Sequence, residues 1–249
     1  MPQVREALAA EEKRMVAALQ EERTRKRGEL NRALHEVRRM RGAGYRYTSQ
    51  AGQDRVVDAA LGQKRNGTFV DVGGYDGVTG SNTLFLEVFR GWTGVLIEPV
   101  PGNLAAAEAV RRCACLPYAV AATDGEADFV EVTDGYTQMS GLAAEYDPQM
   151  LARVREEPRH KERVVQVQTR TLSRLLTDAG IEHPDFVSLD IEGGEISVLG
   201  NFPFDRHRVG IWAIENNTAS PEIRRIMQAA GYELFEFCGP DELWRRRDL

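Results

Sequence analysis

Phe69-Val-Asp-Val-Gly-Gly-Tyr-Asp-Gly77 decides the fold. Phe69, Val70 and Val72 suit a strand covered on both faces. Asp71 is followed by Gly73, Gly74 and Gly77, where the backbone must turn tightly and leave room for a ligand. The spacing is Asp-x-Gly-x-x-x-Gly and not the Gly-x-Gly-x-x-Gly of a dinucleotide site. An acidic residue at that strand end repels a pyrophosphate and suits a cationic ligand, or one rich in hydroxyls and amines. S-adenosylmethionine, with an amino group and a sulfonium, has that character. Taken alone, the same stretch also describes a ligand-free strand-to-helix turn.

Outward from this turn, strand-like and helix-like segments alternate. The pattern predicts strands at 68–73, 93–98, 117–121, 185–190 and 209–215 with helices between several of them, hence a doubly wound parallel sheet of the α/β class. Phe129-Val-Glu-Val132 and Val164-Val-Gln-Val167 read as an additional strand pair, with the charged stretch 147–162 an insertion between them, partly helical and lid-forming. Tyr232-Glu-Leu-Phe-Glu-Phe237 alternates with period two, and Leu243-Trp244 pairs with it as an antiparallel edge.

Residues 1–41 differ in character and are read as a helical extension, with the remaining domain at 42–249. From Glu6 to Arg41 there is no proline, and strong helix formers dominate. Val4, Leu8, Met15 and Leu19 form one apolar stripe; Leu30, Leu34, Val37 and Met40 form another. The charged stretch 21–28 between them supplies no seam, so no sustained heptad is present. A long helix is marginal in water without packing, which makes a second subunit a candidate partner and a homo-oligomer the expectation. Gly42-Ala-Gly44 ends the helix, and Thr48 or Ser49 caps the next one, whose first turns carry Gln50, Gln53 and Asp54.

The net charge of −6 argues against nucleic acid as a partner, and 42% hydrophobic content is enough for a packed core. Cys113, Cys115 and Cys238 are too few for a disulfide framework, and Cys113-x-Cys115 lacks the further ligands of a zinc site. No apolar run reaches membrane-spanning length, and the charged N-terminus lacks a signal-peptide core, so the expected location is the cytoplasm. His35, His160, His183 and His207 are scattered and read as surface residues.

Three strand ends carry the chemistry. Glu98 closes the second strand about 20 residues after the glycine turn, where an acidic residue takes hydrogen bonds from both ribose hydroxyls of a bound nucleoside. Asp190-Ile-Glu-Gly-Gly-Glu195 closes the fourth and Glu215-Asn-Asn217 the fifth, both at the carboxyl edge where ligands bind in such sheets. Asp190, Glu192 and Glu215 are the candidates for holding or deprotonating an acceptor. Carboxylates so crowded call for a cation, a proton or solvent. Asp190, Glu215 and Asn216 together would suit a hard cation such as magnesium, which polarises a substrate hydroxyl. The rival is metal-free catalysis with one carboxylate as general base.

These motifs, in this order, resemble the FkbM-type S-adenosylmethionine-dependent methyltransferases. The likeness runs from Ser49-Gln-Ala-Gly-Gln-Asp54 through 69–83, Ile97-Glu-Pro99, 189–195 and Trp212-Ala-Ile-Glu215, covering roughly 45–240. It implies a class I methyltransferase fold, with a mostly parallel, Rossmann-like sheet of seven strands. It also implies methyl transfer to oxygen, typically a hydroxyl of a sugar, glycan or glycosylated natural product. Cofactor contacts would then come from Gln50, Asp71, Gly73, Gly77, Asn82, Glu98 and Pro99, with Asp71 near the methionine end and Asn82 near the cofactor carboxylate. Members of the family usually have Ala or Ser where this chain has Gly74. Residues 1–41 lie outside the likeness, and the competing function is a non-catalytic assembly subunit working through them.

Overall fold

The computed structural model describes residues 2–42 and 44–248. The expected turn residue Ala43 lies outside them. Strand β1 (Thr68–Val72) sits mid-sheet, parallel to β2 (Thr93–Ile97) on one side and β8 (Phe186–Leu189) on the other. β3 (Ala114–Leu116) pairs in parallel with β2, and β9 (Ile211–Glu215) in parallel with β8. Beyond β9 come β11 (Asp241–Arg246) and β10 (Tyr232–Cys238), each paired antiparallel to its neighbour. The sheet is therefore mixed, with seven strands in the order β10-β11-β9-β8-β1-β2-β3.

Strand alternation splits the core in two. Val70, Val72, Val187, Leu189 and Trp212 pack on one face against α7 (Leu172–Asp178), α8 (Glu195–Gly200) and α9 (Pro221–Ala229). Phe69, Phe186, Ile211 and Leu243 pack on the other face against α3 (Gln53–Ala60) and α4 (Leu84–Arg90). Helix α5 (Pro101–Val110) starts after the cavity-lining Pro99, with Pro101 in its first turn, where no amide is needed. The two-sided burial explains why the central strands read as continuous apolar runs.

A second sheet, in the order β4-β7-β5-β6, carries β4 (Ala119–Val120), β5 (Gly125–Asp134), β6 (Gly141–Leu142) and β7 (Lys161–Arg170). Phe129 faces Val165 and Val130 faces Val164 in its long antiparallel pair, in line with the sequence. Helix α6 (Pro148–Arg155) fills the insertion, capped by Asp147.

Three expectations change. The strand read at 117–121 divides: β3 ends at Leu116, Pro117 lacks the N–H to continue, and Ala119–Val120 crosses to β7 of the second sheet. Leu243 and Trp244 pair with β10 as expected, but their strand lies inside the sheet and β10 forms the edge. The N-terminal stretch is a hairpin of two helices, α1 (Pro2–Glu21) and α2 (Arg27–Arg41). The Arg27 guanidinium closes the end of α1 by donating to the carbonyls of Leu19 and Glu22. Parts of the two apolar stripes then meet: Met15 packs on Leu34 and Val37, with Leu8 and Leu19 beside them, while Val4 and Met40 stay exposed.

The hairpin is docked on its own chain. Asn31 donates to the Phe237 carbonyl at 2.8 Å, and Arg27 pairs with Glu236. A side chain at Gly28 would fall 2.1 Å from the Gly239 carbonyl oxygen, so the two backbones touch. Two histidines are also core residues. His35 bonds Tyr45, and burial pushes its pKa down to about 4; His207 sits between Ser173 and the Glu182 carbonyl. His183 is exposed and His160 half-buried.

Candidate active site

A cavity of about 310 Å³ opens at the carboxyl edge of β1, β2, β8 and β9, in the size range of small-ligand pockets. Gln50, Asp71, Gly73, Asn82, Glu98, Pro99, Asp190, Glu192 and Glu215 all line it. The sequence thus identifies residues that the fold gathers from five separate segments.

The glycine turn builds one wall. At Gly73 φ is +77°, and a Cβ would lie 1.8 Å from the Asp190 carbonyl oxygen, so only glycine lets the ends of β1 and β8 close together. The amides of Gly73 and Gly74 both donate to Ile97 O. A Cβ on Gly74 would stand 2.3 Å from Leu96 Cγ, a fully buried side chain. Glycine at the position where the family usually has Ala or Ser is therefore matched to Leu96 beneath it. Gly77 faces away from the cavity, packed on Ala107 and Arg111, and does not make the cofactor approach expected of it. Tyr75 holds a left-handed backbone (φ +49°), and its hydroxyl bonds Thr137 Oγ1 at 2.6 Å, tying the turn to the second sheet.

Asp71 is held by Thr83 and Ser81 hydroxyls and by the buried guanidinium of Arg111. Arg111 also pairs with Glu87 and donates to Gly77 O and Thr83 Oγ1, so one cation locks the turn, α4 and β1 together. Asn82 donates from Nδ2 to Ser188 Oγ at 2.9 Å, and its Oδ1 has no partner. Glu98 accepts from the amides of Val100 at 2.8 Å and Tyr75 at 3.1 Å. Burial pushes its pKa up to about 7 against those hydrogen bonds.

The opposite wall is acidic. One oxygen each from Asp190, Glu195 and Glu215 lies within 4.8 Å of the others. Burial, with Asp241 close by, raises Asp190 to about 7, its hydrogen bond with Glu215 opposing that rise. Glu215 and Glu192 are also raised well above the usual carboxylate range, by burial first and then by the charge of Asp190 beside them. Glu195 differs from them: it accepts from the amides of Ile191 and Gly193 and shapes its own turn. Glu192 also has a left-handed backbone (φ +59°), and its Oε2 is buried without a partner.

Asn216 leaves the site. Its amide donates to Ser220 O and Glu242 Oε1 and accepts from Ser220 N, so the cation set Asp190, Glu215 and Asn216 is not assembled. Arg25 from the helical hairpin reaches the same place, donating to Glu242 at 2.7 Å and to the carbonyls of Asn216 and Pro240. Gln53 is also engaged elsewhere, on Asp241 at 2.9 Å. Thr48 and Ser49 do not cap α3; their amides donate to Asp54, whose buried carboxylate organises the approach loop. Sequence reasoning missed Arg111, Glu87 and Arg25, because their partners lie 24 to 217 residues away.

No described helix is long and apolar enough to cross a membrane. No curated protein matches the chain. Among solved structures it is similar to a methyltransferase FkbM from Methylobacillus flagellatus KT, at 16% identity and a TM-score of 0.45, over 87% of this chain and 52% of that one. The chain thus spans about half the length of that protein. A TehB-like SAM-dependent methyltransferase from Corynebacterium glutamicum ATCC 13032 is 12% identical (TM-score 0.41; 85% and 95% covered). A precorrin-6y C5,15-methyltransferase from Geobacter metallireducens GS-15 is 8% identical (TM-score 0.43; 78% and 86% covered). The profile of the methyltransferase FkbM domain matches residues 71–234. That stretch carries Asp71, Glu98 and both acidic strand ends, and the chain belongs to the FkbM family of S-adenosylmethionine-dependent methyltransferases.

Proposed function

We propose that the chain methylates a hydroxyl oxygen of a sugar, glycan or glycosylated natural product. The observation that carries the reading is one cavity with a nucleoside-type carboxylate, Glu98, at one end and the Asp190–Glu215 pair at the other. The residues fit S-adenosylmethionine. Glu98 would take the ribose hydroxyls, Pro99 and Gly73 would flank the nucleoside, and the free Oδ1 of Asn82, with Asp71 and Gln50, would face the methionine end.

Bound S-adenosylmethionine supplies a methyl group activated by its sulfonium, with the C–S electron pair staying on sulfur as the acceptor oxygen takes the carbon. The protein's share is alignment and proton removal. Asp190, raised by burial and by Asp241, and Glu215, raised by burial and by Asp190, are basic enough to receive a hydroxyl proton. Glu192 stands beside them as a third acceptor of hydrogen bonds.

Labelled S-adenosylmethionine incubated with a panel of glycans and glycosylated metabolites tests this directly. The expected result is label on acceptor oxygen, lost in Asp190→Asn. Cofactor binding with no transfer to any hydroxyl acceptor, and label on nitrogen or carbon elsewhere, would contradict it.

A further inference from the structure

The charge of the cavity identifies what the acceptor must bring with it. Five carboxylates line it, from Asp71, Glu98, Asp190, Glu192 and Glu215, and no Lys, Arg or His among the described residues does. Two of the five are provided for. Asp71 has the Arg111 guanidinium, and Glu98 has two backbone amides. No ion pair among the described residues reaches Asp190, Glu192 or Glu215. Within that wall one side chain is less provided for than its neighbours.

Glu192 is that side chain. It is only 7% exposed, and its Oε2 has no hydrogen-bond donor. Its backbone is left-handed (φ +59°), a conformation that costs free energy in a residue other than glycine. A buried, unpartnered carboxylate oxygen is costly in the same way, and a donor cation removes that cost. It lines the cavity, and its Cβ lies close to Gly141, where an added Cβ would come within 3.2 Å of it.

We propose that the acceptor is a hydroxyl compound carrying its own amine near the methylated oxygen, of the amino-sugar class, with the ammonium held by Glu192. Phosphate- and carboxylate-bearing acceptors, nucleotide sugars included, are rejected by the same wall. The inference rests on the methyltransferase reading of this cavity and deepens it. An ammonium held on Glu192 has no lone pair, so the hydroxyl is the nucleophile. Its oxygen forms the new bond to the methyl carbon, the C–S pair stays on sulfur, and the hydroxyl proton passes to the Asp190–Glu215 pair.

Calorimetry on protein saturated with S-adenosylhomocysteine tests it, with glucosamine, N-acetylglucosamine, glucose and glucuronate as probes. Glucosamine should bind at least tenfold tighter than its N-acetyl form or glucose, and glucuronate should not bind. Glu192→Gln should erase the amine preference while S-adenosylhomocysteine affinity stays within about threefold. If that variant does not fold, the amine-against-N-acetyl comparison in the wild type decides alone. Equal binding of the probes, preference for glucuronate, or no sugar binding overturns the proposal. So does magnesium chloride titrated into chelator-treated protein, if it binds in a Glu192-dependent way while no amine preference appears. Failure of the wild type to bind S-adenosylhomocysteine would instead overturn the methyltransferase reading beneath it.

Discussion

The two ends of the cavity are built on opposite principles. At the glycine-turn end every carboxylate has its partners within the protein: Asp71 has Arg111, Ser81 and Thr83, and Glu98 has two backbone amides. At the β8–β9 end, Asp190, Glu195 and Glu215 bring oxygens within 4.8 Å of one another with no ion pair among the described residues, and the buried Oε2 of Glu192 has no donor. The first end is finished before a ligand arrives and can hold one in a fixed pose. The second keeps its groups under electrostatic tension, which is how a fold raises carboxylates into the range where they exchange protons near neutrality. On the proposed function, binding and chemistry are thereby separated along one cavity.

The largest effect should come from the unfinished end. Asp190→Asn or Glu215→Gln removes one member of the proton-accepting pair and should slow transfer by about 10²- to 10⁴-fold, the usual span of general-base catalysis. Cofactor affinity should fall far less than the rate of transfer, since the nucleoside wall is untouched. Single-turnover transfer beside calorimetry separates the two quantities. Equal losses in both would dissolve the distinction between the ends.

Next is Arg111→Met, at the finished end. It strands two buried carboxylates, Asp71 and Glu87, and breaking such a pair costs about 3–5 kcal/mol. Chemical denaturation measures the loss. A variant as stable as the parent would mean that the turn is held by Thr83 and Ser81 alone.

Gly74→Ala probes the same wall more gently. Its Cβ drives into Leu96, and overpacking of this kind costs about 1–3 kcal/mol. Shortening the neighbour in Gly74→Ala/Leu96→Val should recover part of that loss, a non-additivity expected of touching residues. Strict additivity in denaturant melts would refute the matched pair.

The smallest effect is in pH. Burial raises Glu98 and Asp190 to about 7 in the free protein, above their unfolded values. Their protonated forms are favoured by folding, so the stability they contribute is present below the unfolded pKa and is lost as pH rises through about 7. A cationic cofactor prefers the ionised forms, so its binding should release protons near neutrality and strengthen as pH rises from about 6 to about 8. Calorimetry in buffers of different ionisation enthalpy reads the proton count; proton uptake would contradict the sign.

Much of this was legible in the sequence because it is local. A strand, its terminal acid and the glycines that follow occupy consecutive positions, so Asp71, Glu98, Asp190 and Glu215 could be placed at one sheet edge from pattern alone. What was not legible depends on long-range neighbours. Asn216 is next to Glu215 yet is drawn off by Ser220 and Glu242. Arg111 follows a helix and reads as a surface cation until α4 brings Glu87 to it. The N-terminal stripes read as a surface for another subunit; a turn at Thr24–Lys26 brings Met15 of one onto Leu34 and Val37 of the other within the chain. Ordinary helix propensity carries no sign of that turn.

The central claim is that the finished end holds the nucleoside of S-adenosylmethionine through Glu98. Calorimetric titration of the wild type and of Glu98→Ala with the cofactor tests it most directly. The wild type should bind one cofactor per chain. The folded variant should lose a charge-assisted bond, about 1.5–3 kcal/mol or roughly 10- to 150-fold in affinity. An unchanged dissociation constant in folded Glu98→Ala, or no binding by the wild type, would contradict the account.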